Sequence, residues 1–120
     1  MASGVGFNTR RIQSSAGTLL LAGRAKHALG DTSGALTDYQ RALPLRREVA
    51  DRAGEAVTRY NIAMVYRGAG RLADAVAELE VVVELDRAVQ HPDLAADTAV
   101  LAQIRAELLE QGSPGTGAGE

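Results

Sequence analysis

Few residues in this chain can do reactive chemistry. It has no cysteine, which removes thiolate metal sites, cysteine nucleophiles and disulfides together, and its only histidines are His27 and His91. His27 follows Lys26 within a helical stretch. His91 stands before Pro92 and Asp93 and reads as part of a helix start. Neither has the ligand spacing of a metal site, and an enzyme needs a convergent pair of reactive groups that this inventory does not offer. The carboxylates Glu78, Glu80, Glu84 and Asp86 find few basic partners at four-residue spacing, so they read as a solvated acidic helix face. The expectation is a chain with no catalytic residues, no metal and no cofactor.

The surrounding chain is suited to helices that present a surface. At 120 residues, 46% apolar and 23% charged, it can bury one core and is too short for two independent ones. Aromatic residues make up only 3% while alanine and leucine abound, which suits helices approaching through small side chains and makes the fold class all-α. The formal net charge of -2, with both signs interspersed, provides no basic stripe for nucleic acid. The apolar run after Arg10 and Arg11 is short and ends at Arg24 and Lys26, unlike an export signal, and nothing is long enough for a membrane span. A cysteine-free chain is compatible with a reducing cytosol, and a cytoplasmic location is the expectation.

Taken in order, residues 1–11 lack periodicity and predict a flexible arm, 12–111 a helical domain, and 112–120, GSPGTGAGE, a disordered tail. The first helix ends at Gly30, with Asp31, Thr32 and Ser33 as candidate N-caps for the second. That second helix carries Ala35, Leu36, Tyr39, Ala42, Leu43 and Leu45 and runs on to Ala50, so Pro44 is interior and predicts a bend near Gln40 to Pro44. Asp51 to Gly54 reads as a polar turn before a third helix starting near Glu55. Gly70 separates the third helix from a fourth that ends near Val89. Pro92 suits the first position of a fifth helix, with Asp93 complementing its dipole.

Shifting the sequence by 40 residues aligns Thr18 with Thr58, Gly30 with Gly70, Ala35 with Ala75, Leu45 with Leu85, Arg47 with Arg87 and Val49 with Val89. A helix pair repeating at that period indicates an α-solenoid of antiparallel hairpins, here two hairpins and a closing helix. The copies read Leu19-x-x-Ala22-Gly23-x-x-Lys26 then Ala35-x-x-x-Tyr39-x-x-Ala42, Arg59-x-x-Ile62-Ala63-x-x-Tyr66 then Ala75-x-x-x-Leu79-x-x-Val82, and a half copy Thr98-x-x-Leu101-Ala102-x-x-Arg105. This pattern resembles the tetratricopeptide repeat (TPR) family, in a long-period form similar to the repeats of kinesin light chains and actinobacterial regulators. In that register Gly23, Ala63 and Ala102 lie where helices cross and must be small.

The resemblance implies a non-catalytic protein-protein interaction module whose first helices line a concave groove for an extended peptide. It implies that Asn61 grips the ligand backbone, and the same register aims Arg24 and Arg67 toward the groove. Leu20 and His27 from the first helix, Val57, Tyr60 and Met64 from the third, and Gln103 from the fifth share that face. As isolated side chains these residues read equally as a solvated surface. The basic clamp that some family members use on a C-terminal carboxylate is missing, because Leu20, Ala96 and Val100 occupy its places. Alternatives are a small-molecule-binding or enzymatic role for the same concavity, or a scaffold domain of a larger signalling regulator. Apolar residues at the end of the array, Val81, Val100, Ile104, Leu108 and Leu109, predict a homodimer through the fifth helix and the adjoining face of the fourth.

Overall fold

The computed structural model describes residues 2–112, which form five α-helices: α1 (Ala2–Ala28), α2 (Thr32–Glu48), α3 (Arg52–Gly68), α4 (Leu72–Val89) and α5 (Leu94–Gln111). The expected tail lies almost wholly outside these residues. α1 begins at Ala2, well ahead of Ile12 where the apolar pattern starts, and the described side chains up to Arg11 are exposed. α1 pairs with α2 and α3 with α4, and α5 packs on α4.

Every hairpin and every junction turns in the same way. The chain enters the left-handed region at Gly30 (φ 87°), Ala50 (φ 55°), Gly70 (φ 79°) and Gln90 (φ 53°), one such residue every 20. The next N–H reaches back to a carbonyl five residues earlier: Asp31 to Lys26, Asp51 to Arg46, Arg71 to Tyr66 and His91 to Asp86, each at 2.8 Å. This is the six-to-one bond of a Schellman ending, which satisfies carbonyls that the terminated helix leaves open. Glycine takes the left-handed position within hairpins at little cost, whereas Ala50 and Gln90 hold it against their own Cβ atoms.

Starts differ more than ends. Asp31 caps α2 by accepting from the Gly34 N–H at 2.9 Å, and Asp51 caps α3 by accepting from Gly54 at 2.8 Å. The segment expected as a turn from Asp51 to Gly54 is therefore an N-cap and the first turn of α3, since the left-handed Ala50 alone reverses the chain. Arg71 makes no such cap; it pairs with Asp74 at 2.8 Å and lies 4.5 Å from the centre of the Tyr66 ring. At α5 the cap position is Asp93, so Pro92 precedes the helix instead of opening it. Pro44 sits on the exposed side of an unbroken α2.

Two cores lie along the array. Ala35, Tyr39, Leu43, Ile62 and Val65 form the first, and Ala56, Ala63, Leu72, Ala75, Leu79, Val82, Val83, Leu101 and Ile104 the second, with Tyr66 packed against both. The expected small-residue crossings hold in both hairpins. A Cβ on Gly23 would lie 2.5 Å from Cε1 of the buried Tyr39 ring, so only glycine fits. In the second hairpin Ala63 and Leu79, 40 residues after Gly23 and Tyr39, are both fully buried in the second core. Ala102, in contrast, is exposed, since among the described residues no helix follows α5 to cross it.

Candidate functional site

A cavity of about 310 Å³ opens where α3, the end of α4 and the start of α5 meet. Val57 and Tyr60 line it from α3, Asp86 from α4, His91 and Asp93 from the junction, and Ala96 and Asp97 from α5. Its floor is unusual in charge. Asp86 is completely buried, and neither of its carboxylate oxygens has a hydrogen-bond partner. The imidazole of His91 comes only to 4.0 Å from it, and its Nδ1 accepts the Asp93 N–H at 3.0 Å.

Asp97, also buried, faces Asp86 across the seam between α4 and α5. Burial, then hydrogen bonding to Asp86 and the charges of Asp86 and Asp93, push its carboxyl up to about 7. Two ionised carboxylates cannot donate to one another, so a proton held between them supplies the bond that neither anion has alone.

The corresponding place in the first junction is built from the opposite charge. Forty residues before Asp86 stands Arg46, and forty before His91 stands Asp51. Arg46 Nη1 donates to Asp51 Oδ2 and to Gln13 Oε1 of α1, each at 3.0 Å. The same Asp51 caps α3, so one ion pair closes the junction and starts the next helix.

The groove residues implied by the repeat register are dispersed. Tyr60 lines the cavity beside Val57, and Met64 is half-buried against the second core. Asn61 is half-buried and spends one amide hydrogen on the Val57 carbonyl at 2.8 Å, leaving its oxygen available. Arg67 is held by Glu107, donating from Nε at 3.2 Å and from Nη2 to the second oxygen, which ties α3 to α5. Arg24 is exposed and His27 half-buried on α1, away from the cavity, and Gln103 is exposed on α5.

The expectation of one solvated acidic face on α4 does not hold. Glu78 receives Arg59 Nη1 from α3 at 2.9 Å, Glu80 receives Arg105 from α5 at 2.8 Å, and Asp86 is buried. Counting partners within one helix missed those on its neighbours. The predicted dimer surface also needs correction: Ile104 is 0% exposed in the second core, Val100 and Leu108 pack against that core, and only Val81 and Leu109 are exposed. Among the described residues no group of three or more histidines or carboxylates is placed to hold a metal ion, and no helix is long and apolar enough to cross a membrane.

Successive antiparallel helix hairpins with one turn geometry, small residues at each covered crossing and a cavity between neighbouring units define a helical repeat protein. A tetratricopeptide repeat family model matches residues 14–88, and the chain belongs to that family. Repeats of this family generally mediate protein-protein interaction. Comparison with curated proteins and with solved structures finds no significant match.

Proposed function

We propose that the chain is a non-catalytic interaction module that binds a polypeptide segment along the face formed by the first helices of its hairpins, α1, α3 and α5. The observation that carries this reading is the cavity itself, which lies between α3 and α5 of a chain from an interaction family. Asn61 offers a free amide oxygen to a ligand backbone N–H, and Tyr60 offers a ring to its side chains. Arg67 serves first to fasten α5 through Glu107, so it is a poor probe of binding.

Peptides selected on the intact chain from a random library, with affinities measured by fluorescence polarisation, test the reading. Asn61→Ala and Tyr60→Ala are expected to weaken selected peptides while helicity is retained. Unchanged binding in both variants would place the peptide elsewhere and sink the reading.

Self-association is a second reading, favoured by the outer side of α5, where Ala95, Ala99, Ala102 and Ala106 are exposed at helical spacing and Leu109 is 77% exposed. We infer a two-fold contact of α5 with its copy, with Val81 at its margin. Light scattering reads it directly. A parent mass near 12.6 kDa at micromolar concentration refutes it, and a dimer that dissociates on Leu109→Glu supports it.

A further inference from the structure

The cavity between α3 and α5 is lined by two buried carboxylates, Asp86 and Asp97. Removing one partner of a buried ion pair leaves the other charge uncompensated, at a cost that proteins rarely carry without return. Asp86 is fully buried and lines the cavity, and apart from the proton it shares with Asp97 its carboxylate has no hydrogen-bond partner among the described residues. Arg87, next in the chain, lies exposed beside Glu84, His91 comes only to 4.0 Å, and Arg59 of α3 bridges Glu55 and Glu78 at 2.9 Å each. What a cation would complete can be read from the first junction, where the chain supplies the guanidinium of Arg46 to a carboxylate and an amide oxygen.

We propose that this cavity receives the guanidinium of an arginine side chain carried by the bound polypeptide, with Asp86 and Asp97 as its acceptors and Tyr60 beside its plane. The proposal rests on the polypeptide-binding reading and adds the chemistry of the partner. Arginine fits better than lysine for three reasons: its fork of donors can satisfy two carboxylates at once, it is the more weakly hydrated of the two cations, and it stacks on aromatic rings. A volume of about 310 Å³ is at the lower end of ligand pockets and suits one long side chain.

The groups facing the guanidinium are Tyr60 from α3, Asp86 from α4, His91 and Asp93 from the junction and Asp97 from α5. With the cavity empty, Asp97 keeps a proton until about pH 7, as its like-charged neighbours require. A guanidinium makes both carboxylates anions, so the proton leaves to solvent as the side chain enters. Binding at pH 6 therefore releases about one proton and binding at pH 8 almost none.

Two measurements on the intact chain test this. In the first, amide shifts are followed by NMR during titration with capped arginine, capped lysine and capped citrulline, the last being a neutral isostere of arginine. Residues around Asp86, His91 and Asp97 are expected to respond to arginine, more weakly to lysine and not to citrulline; equal responses to arginine and citrulline overturn the proposal. In the second, library-selected peptides are expected to carry arginine at one fixed position and to lose about thirtyfold in affinity to the Asp86→Asn variant. The double variant Asp86→Arg with His91→Asp rebuilds the ion pair of the first junction and is expected to lose arginine binding while folding normally. Peptides that bind without any basic preference, and equally well to Asp86→Asn, would remove this proposal and leave the interaction reading intact. No peptide binding, with a saturable response to capped arginine, would remove the polypeptide as the source of the cation while keeping the guanidinium site.

Discussion

The two junctions between units have the same backbone and opposite contents. Both turn through one left-handed residue, Ala50 or Gln90, and both close with a 2.8 Å bond to the carbonyl five residues back. In the first, Arg46 donates from Nη1 to both Asp51 and Gln13, with its buried Nε left unpaired, and Asp51 also starts α3. In the second, Asp86 stands where Arg46 does and faces another acid, Asp97, in place of a basic partner, beside a cavity. The turn is set by the backbone; whether a junction is a strut or a socket depends on two side chains within it.

The largest expected effect comes from breaking the strut. Asp51→Ala removes the cap of α3 and leaves a largely buried Arg46 without its anion, so a loss of about 2–3 kcal/mol is expected in urea unfolding. Wild-type stability in that variant would mean that the first junction holds without its ion pair. Asp86→Asn is expected to move the other way, gaining about 1 kcal/mol at pH 8, because the amide can donate to Asp97 where a carboxylate repels it.

The same pair sets a pH dependence. The Asp97 carboxyl is raised in the folded state to about 7 from an ordinary value of 3.8, so between those limits the folded chain holds a proton that the unfolded chain has lost. Its contribution to stability is complete below the lower value and falls as pH rises, levelling off above about 7. The slope should disappear in Asp97→Asn; a parent whose stability rises through this window would contradict the assignment. The smallest effect concerns what the junctions share. Ala50→Gly and Gln90→Gly should each stabilise by about 0.5 kcal/mol, as relief of left-handed strain outweighs the flexibility gained by the unfolded chain.

The hairpins were legible because their signals are local or strictly periodic. Gly30 and Gly70 mark the left-handed turns by type, and Gly23, Ala35, Ala63 and Ala75 mark the crossings by size. The junction turns were harder, since Ala50 and Gln90 carry no conformational signature. The cavity was not foreseen. Asp86 looked like one more acid beside Glu84, and only the burial imposed by α3 and α5 separates them. A signal was nevertheless present in the 40-residue alignment: Arg46 and Asp51 face Asp86 and His91, a reversal of charge at the first position within an otherwise matched turn. Arg67 and Glu107, likewise 40 residues apart, meet across helices that no single-helix count connects.

The alanines on the outer side of α5 have a further consequence, for how a helix can hold its shape with cover on one side. An exposed Ala102 gives water little more apolar surface than the backbone already does, while alanine is the residue that best holds a helix through its own propensity. α5 can thus keep its shape with cover on one side only, where leucines in the same places would demand cover on both. The same smoothness would allow another helix axis to approach closely at the position where Tyr39 meets Gly23 in the first hairpin. Among the described residues α5 is the last helix, and its alanine face leaves room for a neighbouring axis to come close.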